Sequence, residues 1–287
     1  MRPYAAAVAG IASWLTAALL AMTPARANEP PRRVVSMNLC TDQLAMLIAA
    51  TGQLYSVSYL SRDPEASVLS DDAKNFPANH GLAEEIFTMS PDLIVAGTFT
   101  SRASIAMLRR LGFRVEQFAP PNSLPDIRTN MKRMGELLGR EKRANDLIAE
   151  FDRALAAVPA TLQKRPLAAL HYANSYTSGE GTLAADVVER AGLDNLGTRL
   201  GLHGTTRLPL EVLVMEAPDL IIGGIRPSSS PALAYDTFSH PALRDTLRGH
   251  SLTSVPDKYL VCGGPFTIEA VRLLQTASHK LGRQKQP

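Results

Sequence analysis

The chain has 287 residues, with 30 basic and 27 acidic side chains, a net charge of +3 and only two cysteines, Cys40 and Cys262. A balance this close to neutral excludes the basic footprint of a nucleic-acid binder. Two cysteines exclude a disulfide-dense small scaffold and leave room for a single bridge.

In chain order, Met1 to Ala27 comes first, with an Ala/Leu-rich run from Ala5 to Met22 that ends in Ala25-Arg26-Ala27. This is the pattern of a secretory signal peptide with an A-x-A cleavage site. A membrane anchor is the weaker reading, because the run is barely long enough to span, contains Gly10, Ser13 and Thr16, and meets the helix breaker Pro24. No cysteine follows the run to take a lipid, so the sequence predicts a free mature protein in the periplasm. Cleavage removes Arg2 and Arg26 and no acid, leaving 28 basic against 27 acidic residues, a net of +1. The mature chain is long enough for one large or two modest domains.

Arg33 to Ser36 reads as a short buried strand, and Thr41 to Ala50 as a helix stopped by Gly52. Strands at Tyr55–Leu60, Leu93–Ala96 and Arg114–Phe118 come next, with a helix at Ser101–Leu111 closed by Gly112. From Leu124 to about Leu162 the pattern is nearly continuous helix with a soft break around Gly139. Alternation resumes with a strand at Leu167–Tyr172, helices at Leu183–Ala191 and Leu210–Ala217, and a strand at Leu220–Ile222. Helical segments near Pro241–Leu247, a strand at Tyr259–Val261 and a final helix from about Phe266 to Leu281 complete the chain. Short apolar strands separated by amphipathic helices predict parallel α/β sheets. The expected fold is α/β: two Rossmann-like lobes, 28–139 and 166–287, joined by one long interdomain helix within 140–165, with a cleft between the lobes.

An internal repeat supports two lobes. Met89-Ser-Pro-Asp-Leu-Ile-Val-Ala-Gly97 matches Glu216-Ala-Pro-Asp-Leu-Ile-Ile-Gly-Gly224. In each copy a glutamate stands seven residues before the proline, Glu84 and Glu211. Proline ends the preceding helix and restricts its predecessor, and the apolar run then enters a sheet.

With Arg32-Arg-Val-Val-Ser-Met-Asn38, the two Pro-Asp-Leu-Ile segments, the bridging helical stretch and Glu269-Ala-Val in the last helix, the sequence resembles the periplasmic binding proteins of iron-siderophore, haem and cobalamin importers. The resemblance spans Asn28 to Gly282. It implies two lobes clamped on a rigid helix, a chelate held in the cleft, and delivery to an ABC permease dimer with its ATPase. It also implies that Glu84 and Glu211 dock onto permease arginines; two acids at equivalent points of related lobes suit a two-fold partner. A helix-start glutamate favoured by the dipole is the bland alternative. A monomer without cofactor is expected.

Ligands of open α/β sheets sit beyond the carboxyl ends of the strands. That rule selects Asn38, Cys40, Tyr59, Asn79, His80, Thr98 and Phe99 in the first lobe, and Tyr172, Tyr176, Arg226, Cys262, Gly263 and Phe266 in the second. Aromatic rings there would stack on a planar ligand. Arg226 would neutralise an anionic chelate, and the Gly263-Gly264 turn would either offer backbone donors to an anion or simply permit a tight turn. Cys40 and Cys262 each come after an expected strand, a placement that would let them face each other across the cleft as a bridge, as free thiols or as soft metal ligands. The cobalamin-type relatives place their bridge within the second lobe, so this pair departs from that pattern.

Direct metal binding through His80, His171 and the cysteines is a further alternative. A periplasmic sensor subunit is another, and an enzyme with a site assembled in space is a third. No local catalytic or phosphate-binding signature occurs: there is no G-x-S-x-G, G-x-x-x-x-G-K, G-x-G-x-x-G or H-E-x-x-H. The reading is a non-enzyme.

Overall fold

The computed structural model describes residues 29–159, 165–223 and 251–284. The first lobe is a five-stranded, all-parallel sheet in the order β3-β2-β1-β4-β5. Its strands are β1 (Val34–Ser36), β2 (Leu54–Ser58), β3 (Ala78–Asn79), β4 (Leu93–Gly97) and β5 (Val115–Phe118). Helices α1 (Leu39–Ile48), α2 (Ala83–Thr88) and α3 (Arg102–Arg110) cover its faces. The second lobe repeats the plan in four parallel strands, ordered β11-β10-β6-β8. These are β6 (Leu167–His171), β8 (Asp194–Asn195), β10 (Leu220–Gly223) and β11 (Ser251–Thr253). Helices α6 (Leu183–Arg190), α7 (Leu196–Arg199), α8 (Leu210–Glu216) and α9 (Thr267–Gln284) belong to it, as does an antiparallel ribbon of β7 (Tyr176–Ser178) and β9 (Thr205–Arg207).

The Pro-Asp-Leu-Ile repeat becomes β4 and β10, each beside the central strand of its sheet. Its aspartate has a structural task in both lobes. The Asp92 carboxylate accepts the backbone N–H groups of Arg32 (2.6 Å) and Arg33 (2.9 Å) just before β1. Asp219 accepts that of Leu167 (2.8 Å) at the start of β6. The residue before each proline adopts the left-handed backbone region, Ser90 at φ 48° and Ala217 at φ 43°. That conformation opposes a side chain and turns the chain from helix into strand.

The helical stretch expected between Leu124 and Leu162 is two helices, α4 (Leu124–Leu138) and α5 (Glu141–Ala156). Gly139, at φ 63°, takes the left-handed cap that ends α4 and reverses the chain. Arg128 pairs with Asp152, and a Cβ on Gly135 would lie 2.5 Å from that of Ala144, so the two helices run antiparallel in close contact. The hairpin's turn rests on the first lobe, where Gln53 donates to the Leu138 carbonyl (2.8 Å). Its open end rests on the second, where Asp186 accepts the Leu124 N–H (2.6 Å) and Arg190 donates to the Leu155 carbonyl. One apolar cluster runs through both lobes along this hairpin, including Val34, Ile48, Met131, Leu147, Phe151, Leu170 and Val271.

Tyr259–Val261 is not a strand. Asp257–Tyr259 forms a 3-10 turn behind Pro256, and the edge strand is β11, some six residues earlier. The expected helical segments near Pro241–Leu247 lie outside the described residues.

Candidate functional site

Central strand β1 runs straight into α1, and Asn38 caps that helix by accepting the Cys40 N–H at 3.0 Å. Asn38 lies across the end of β4, where a Cβ on Gly97 would come within 2.9 Å of its side chain. The loop after β4 places Thr98 and Phe99 beside it. Phe99 is 86% exposed and lines the cavity between the lobes, so its ring is open to a ligand.

Opposite this wall stands the segment 260–264 of the second lobe. Cys262 is bonded to Cys40, their Cα atoms 5.0 Å apart across a sequence separation of 222. Of the three states open to the cysteines, the structure has the bridge, and it ties one lobe to the other. Gly263 fits because it has no side chain: a Cβ would stand 2.3 Å from Pro121 and 2.8 Å from Ile127. Its φ is not in the left-handed region, so close approach and not turn geometry is its reason. The Gly264 N–H donates to Thr267 Oγ1 (3.2 Å) and its carbonyl accepts from the Thr267 N–H, so this turn is closed on itself and offers that donor to no anion.

Between the two walls lies a cavity of about 190 Å³, lined by Asn38, Cys40, Thr98 and Phe99 from the first lobe and by Val261 and Gly263 from the second. Pro120, Pro121 and Asn130, from the crossing after β5 and from α4, close its floor. Strand-end reasoning does not select these three; Pro120 and Pro121 stand just beyond the end of β5, where the Pro-Pro pair is the available signal, while Asn130 comes from within α4.

The remaining predicted residues divide. Tyr59 and His80 stack with ring centroids 5.2 Å apart, both rings well exposed. Glu85 holds the His80 imidazole (3.3 Å) and its backbone N–H (2.7 Å). Asn79 does not reach the surface: it is fully buried, donates to the Ser36 carbonyl and Ser56 Oγ, and accepts from the Gly81 N–H, so its amide is committed to joining strands. Tyr172 is partly buried against the core, with its hydroxyl 3.4 Å from Ser178 Oγ, and burial pushes its pKa up. Tyr176 lies on β7 beneath Arg207, whose guanidinium is 5.7 Å from the ring centroid. Phe266 is partly exposed just before α9. Arg226 lies outside the described residues.

Behind the cavity wall the first turn of α1 carries Asp42, fully buried. Its carboxylate accepts from Ser58 Oγ (2.5 Å), the Ser58 N–H (3.1 Å) and Ser61 Oγ (2.6 Å). Burial raises its pKa to about 6, against the lowering effect of the surrounding serine hydroxyls. His171, buried at the end of β6, has its pKa lowered by burial. Among the described residues, no group of three or more His, Cys, Asp or Glu side chains is arranged to hold a metal ion. Glu84 and Glu211 are both exposed in the first turns of the equivalent helices α2 and α8, and neither enters an ion pair among the described residues.

The family model described as periplasmic binding protein matches residues 34–246. No curated protein matches the chain. Among solved structures, it is similar to a periplasmic haem-binding protein, RhuT, from Roseiflexus sp. RS-1, with a TM-score of 0.71, 20% identity, and coverage of 87% of this chain and 98% of that one. A periplasmic binding protein from Veillonella parvula gives 0.72 at 18% identity, covering 88% and 93%. The periplasmic vitamin B12 binding protein BtuF of Vibrio cholerae gives 0.66 at 19% identity, covering 90% and 99%.

Proposed function

The chain belongs to the periplasmic binding proteins, and from that premise we propose that it captures a metal chelate in the cleft between its lobes and delivers it to the permease of an ABC importer. The observation that carries the reading is the exposed Phe99 at the rim of an interlobe cavity built from strand-end loops. Solvent-facing aromatic surface of this kind gains by covering a flat apolar ligand. The cavity of about 190 Å³ is below the roughly 300–1,000 Å³ of drug-sized sites. A ferric siderophore, haem or cobalamin therefore lies across its mouth against Phe99, with only part of the ligand inside. The stacked Tyr59–His80 pair is a second aromatic surface of the first lobe for the same ligand. The similar haem- and vitamin B12-binding structures support the class of ligand and do not choose within it.

Delivery rests on Glu84 and Glu211. They are exposed acids on equivalent helices of duplicated lobes, placed to meet basic residues on two copies of a symmetric partner. The periplasm is the compartment, reached through cleavage after Ala27.

Ligand binding is tested by titrating the mature chain with ferric siderophores, haem, cobalamin and divalent metals, following tyrosine fluorescence. The only tryptophan, Trp14, leaves with the leader. One chelate is expected to saturate, and Phe99→Ala to weaken it tenfold or more, which is about 1.4 kcal/mol. Saturation by a bare metal ion alone, or an unchanged affinity in the variant, sinks the reading.

A further inference from the structure

We propose that the Cys40–Cys262 bridge is a redox-modification site, opened by an external dithiol at Cys40 Sγ, that latches the two lobes against each other at the cleft. The inference rests on the two-lobed fold and not on the identity of cargo or importer.

The two lobes are connected twice. The peptide chain crosses through the α4–α5 hairpin, and the bridge joins the N-terminal turn of α1 to the segment before α9. The second connection sits in the cavity wall itself, since Cys40, Val261 and Gly263 all line that space. Placed here, it fixes the separation of the two cleft walls at a Cα–Cα distance of 5.0 Å. Beside the bridge the backbone of Gly263 packs close to Pro121 and Ile127, with no room there for a side chain.

The two sulfurs differ in access. Cys262 is 1% exposed, whereas Cys40 is partly exposed on the cavity side. Thiol–disulfide exchange requires the attacking thiolate to reach one sulfur in line with the bond, so the dithiol attacks Cys40 Sγ. A mixed disulfide forms there and Cys262 leaves as a thiolate that takes up a proton. The second thiol of the reductant then attacks its own sulfur of the mixed disulfide and releases Cys40. In sum two electrons and two protons pass to the protein, and the dithiol becomes a disulfide. Reoxidation retraces the path through Cys40, which lies in the first turn of α1, where the helix N-terminus favours a thiolate.

The test uses the mature protein with dithiothreitol as the dithiol. In oxidised and reduced samples, amide hydrogen exchange is followed by mass spectrometry, with far-UV circular dichroism as a check on folding. Reduction is expected to speed exchange at least tenfold in 38–41 and 260–266, leaving β1, β4, β6 and β10 unchanged. In single variants, Cys40 in Cys262→Ser is expected to react with iodoacetamide at least tenfold faster than Cys262 in Cys40→Ser. Unchanged exchange in the two segments overturns the latch, since the lobes are then held without it. Exchange that rises across both sheets, or loss of the dichroism signal, also overturns it and makes the bridge a staple of the fold. Equal alkylation rates overturn the assignment of Cys40 as the sulfur attacked. A failed chelate titration would leave all these readouts intact, so the two readings fail separately.

Discussion

The two lobes share a strand order, a Pro-Asp-Leu-Ile unit, an aspartate clamp on the central strand and a left-handed residue before the proline, yet they deliver different structures to the cleft. In the first lobe β1 passes directly into α1, so a helix N-terminus with Asn38 and Cys40 faces the cavity. In the second, β6 passes through a 3-10 turn into the β7–β9 ribbon, and the cavity wall comes from a later segment before α9. The shared aspartate clamp and left-handed turn lie at the amino ends of the strands, and the segments that face the cavity differ at their carboxyl ends. A duplicated scaffold keeps what holds the sheet together and varies what meets the ligand.

The difference extends to buried charge, and pH separates the lobes. Asp42 has a folded pKa of about 6 against an ordinary value of 3.8. The folded state therefore holds the proton more tightly than the unfolded chain, and stability falls as pH rises between about 4 and 6. At one pKa unit per 1.36 kcal/mol, the loss is about 3 kcal/mol. His171 works the other way. Its folded pKa is lowered by burial, so the unfolded chain binds the proton better, and stability rises with pH until about 6.5, the ordinary histidine value. The two contributions oppose each other below about pH 6.5, so urea unfolding across pH 4.5 to 7.5 is followed in parent and Asp42→Asn, and the difference isolates Asp42. Asp42→Asn should remove the falling limb and raise stability at pH 7. A variant with the same pH profile as the parent would mean that Asp42 is ionised throughout.

Much of this architecture was legible in the chain. Alternation of short apolar runs with helical periodicity predicts β1, β2, β4 and β5 of the first sheet and β6 and β10 of the second, and the duplicated Pro-Asp-Leu-Ile predicts the second lobe; β3, β8 and β11 are two or three residues long, too short to carry a period. Strand-end placement picked out Asn38, Cys40, Thr98 and Phe99, which line one cavity; Gly263 lines it too, although the strand expected before it is a 3-10 turn, and Cys262 is buried behind the wall in its bond to Cys40. The failures have physical causes. Asn79 also stands at a strand end, but β3 is a two-residue strand beside β2, and the amide turns inward to satisfy buried backbone. The reversal at Gly139 looked like a soft break because α4 and α5 carry the same helical period, and only close packing at Gly135 reveals two antiparallel helices. Tyr259–Val261 has strand-like residues, yet Pro256 starts a 3-10 turn instead. The pairing of the cysteines depends on how the lobes face each other, which periodicity does not encode.

The aspartate clamps sharpen the comparison at smaller energies. Removing an acceptor from a backbone N–H costs more where water cannot replace it. The Asp92 contacts are exposed, while the Asp219 contact to Leu167 is partly buried. Asp219→Ala is therefore expected to cost about 2 kcal/mol and Asp92→Ala about 1 kcal/mol, measured as shifts in the urea midpoint at constant slope. A reversed order would mean that the first clamp, with its two amides, holds β1 more tightly than its exposure implies.

The smallest effect concerns the residues before the two prolines. Ser90 and Ala217 are exposed and bury no side chain, yet both hold φ above 40°. An L-residue there carries a strain of roughly 1–2 kcal/mol that glycine escapes, against a greater loss of backbone freedom for glycine on folding. Ser90→Gly and Ala217→Gly are each expected to stabilise by about 0.5 kcal/mol, seen as a rise in Tm of a degree or two for a protein of this size. Because the turn belongs to the duplicated unit, the two shifts should match within error. A gain in one lobe and a loss in the other would show that the lobes have diverged at the amino ends of their strands as well, where the fold otherwise keeps them alike.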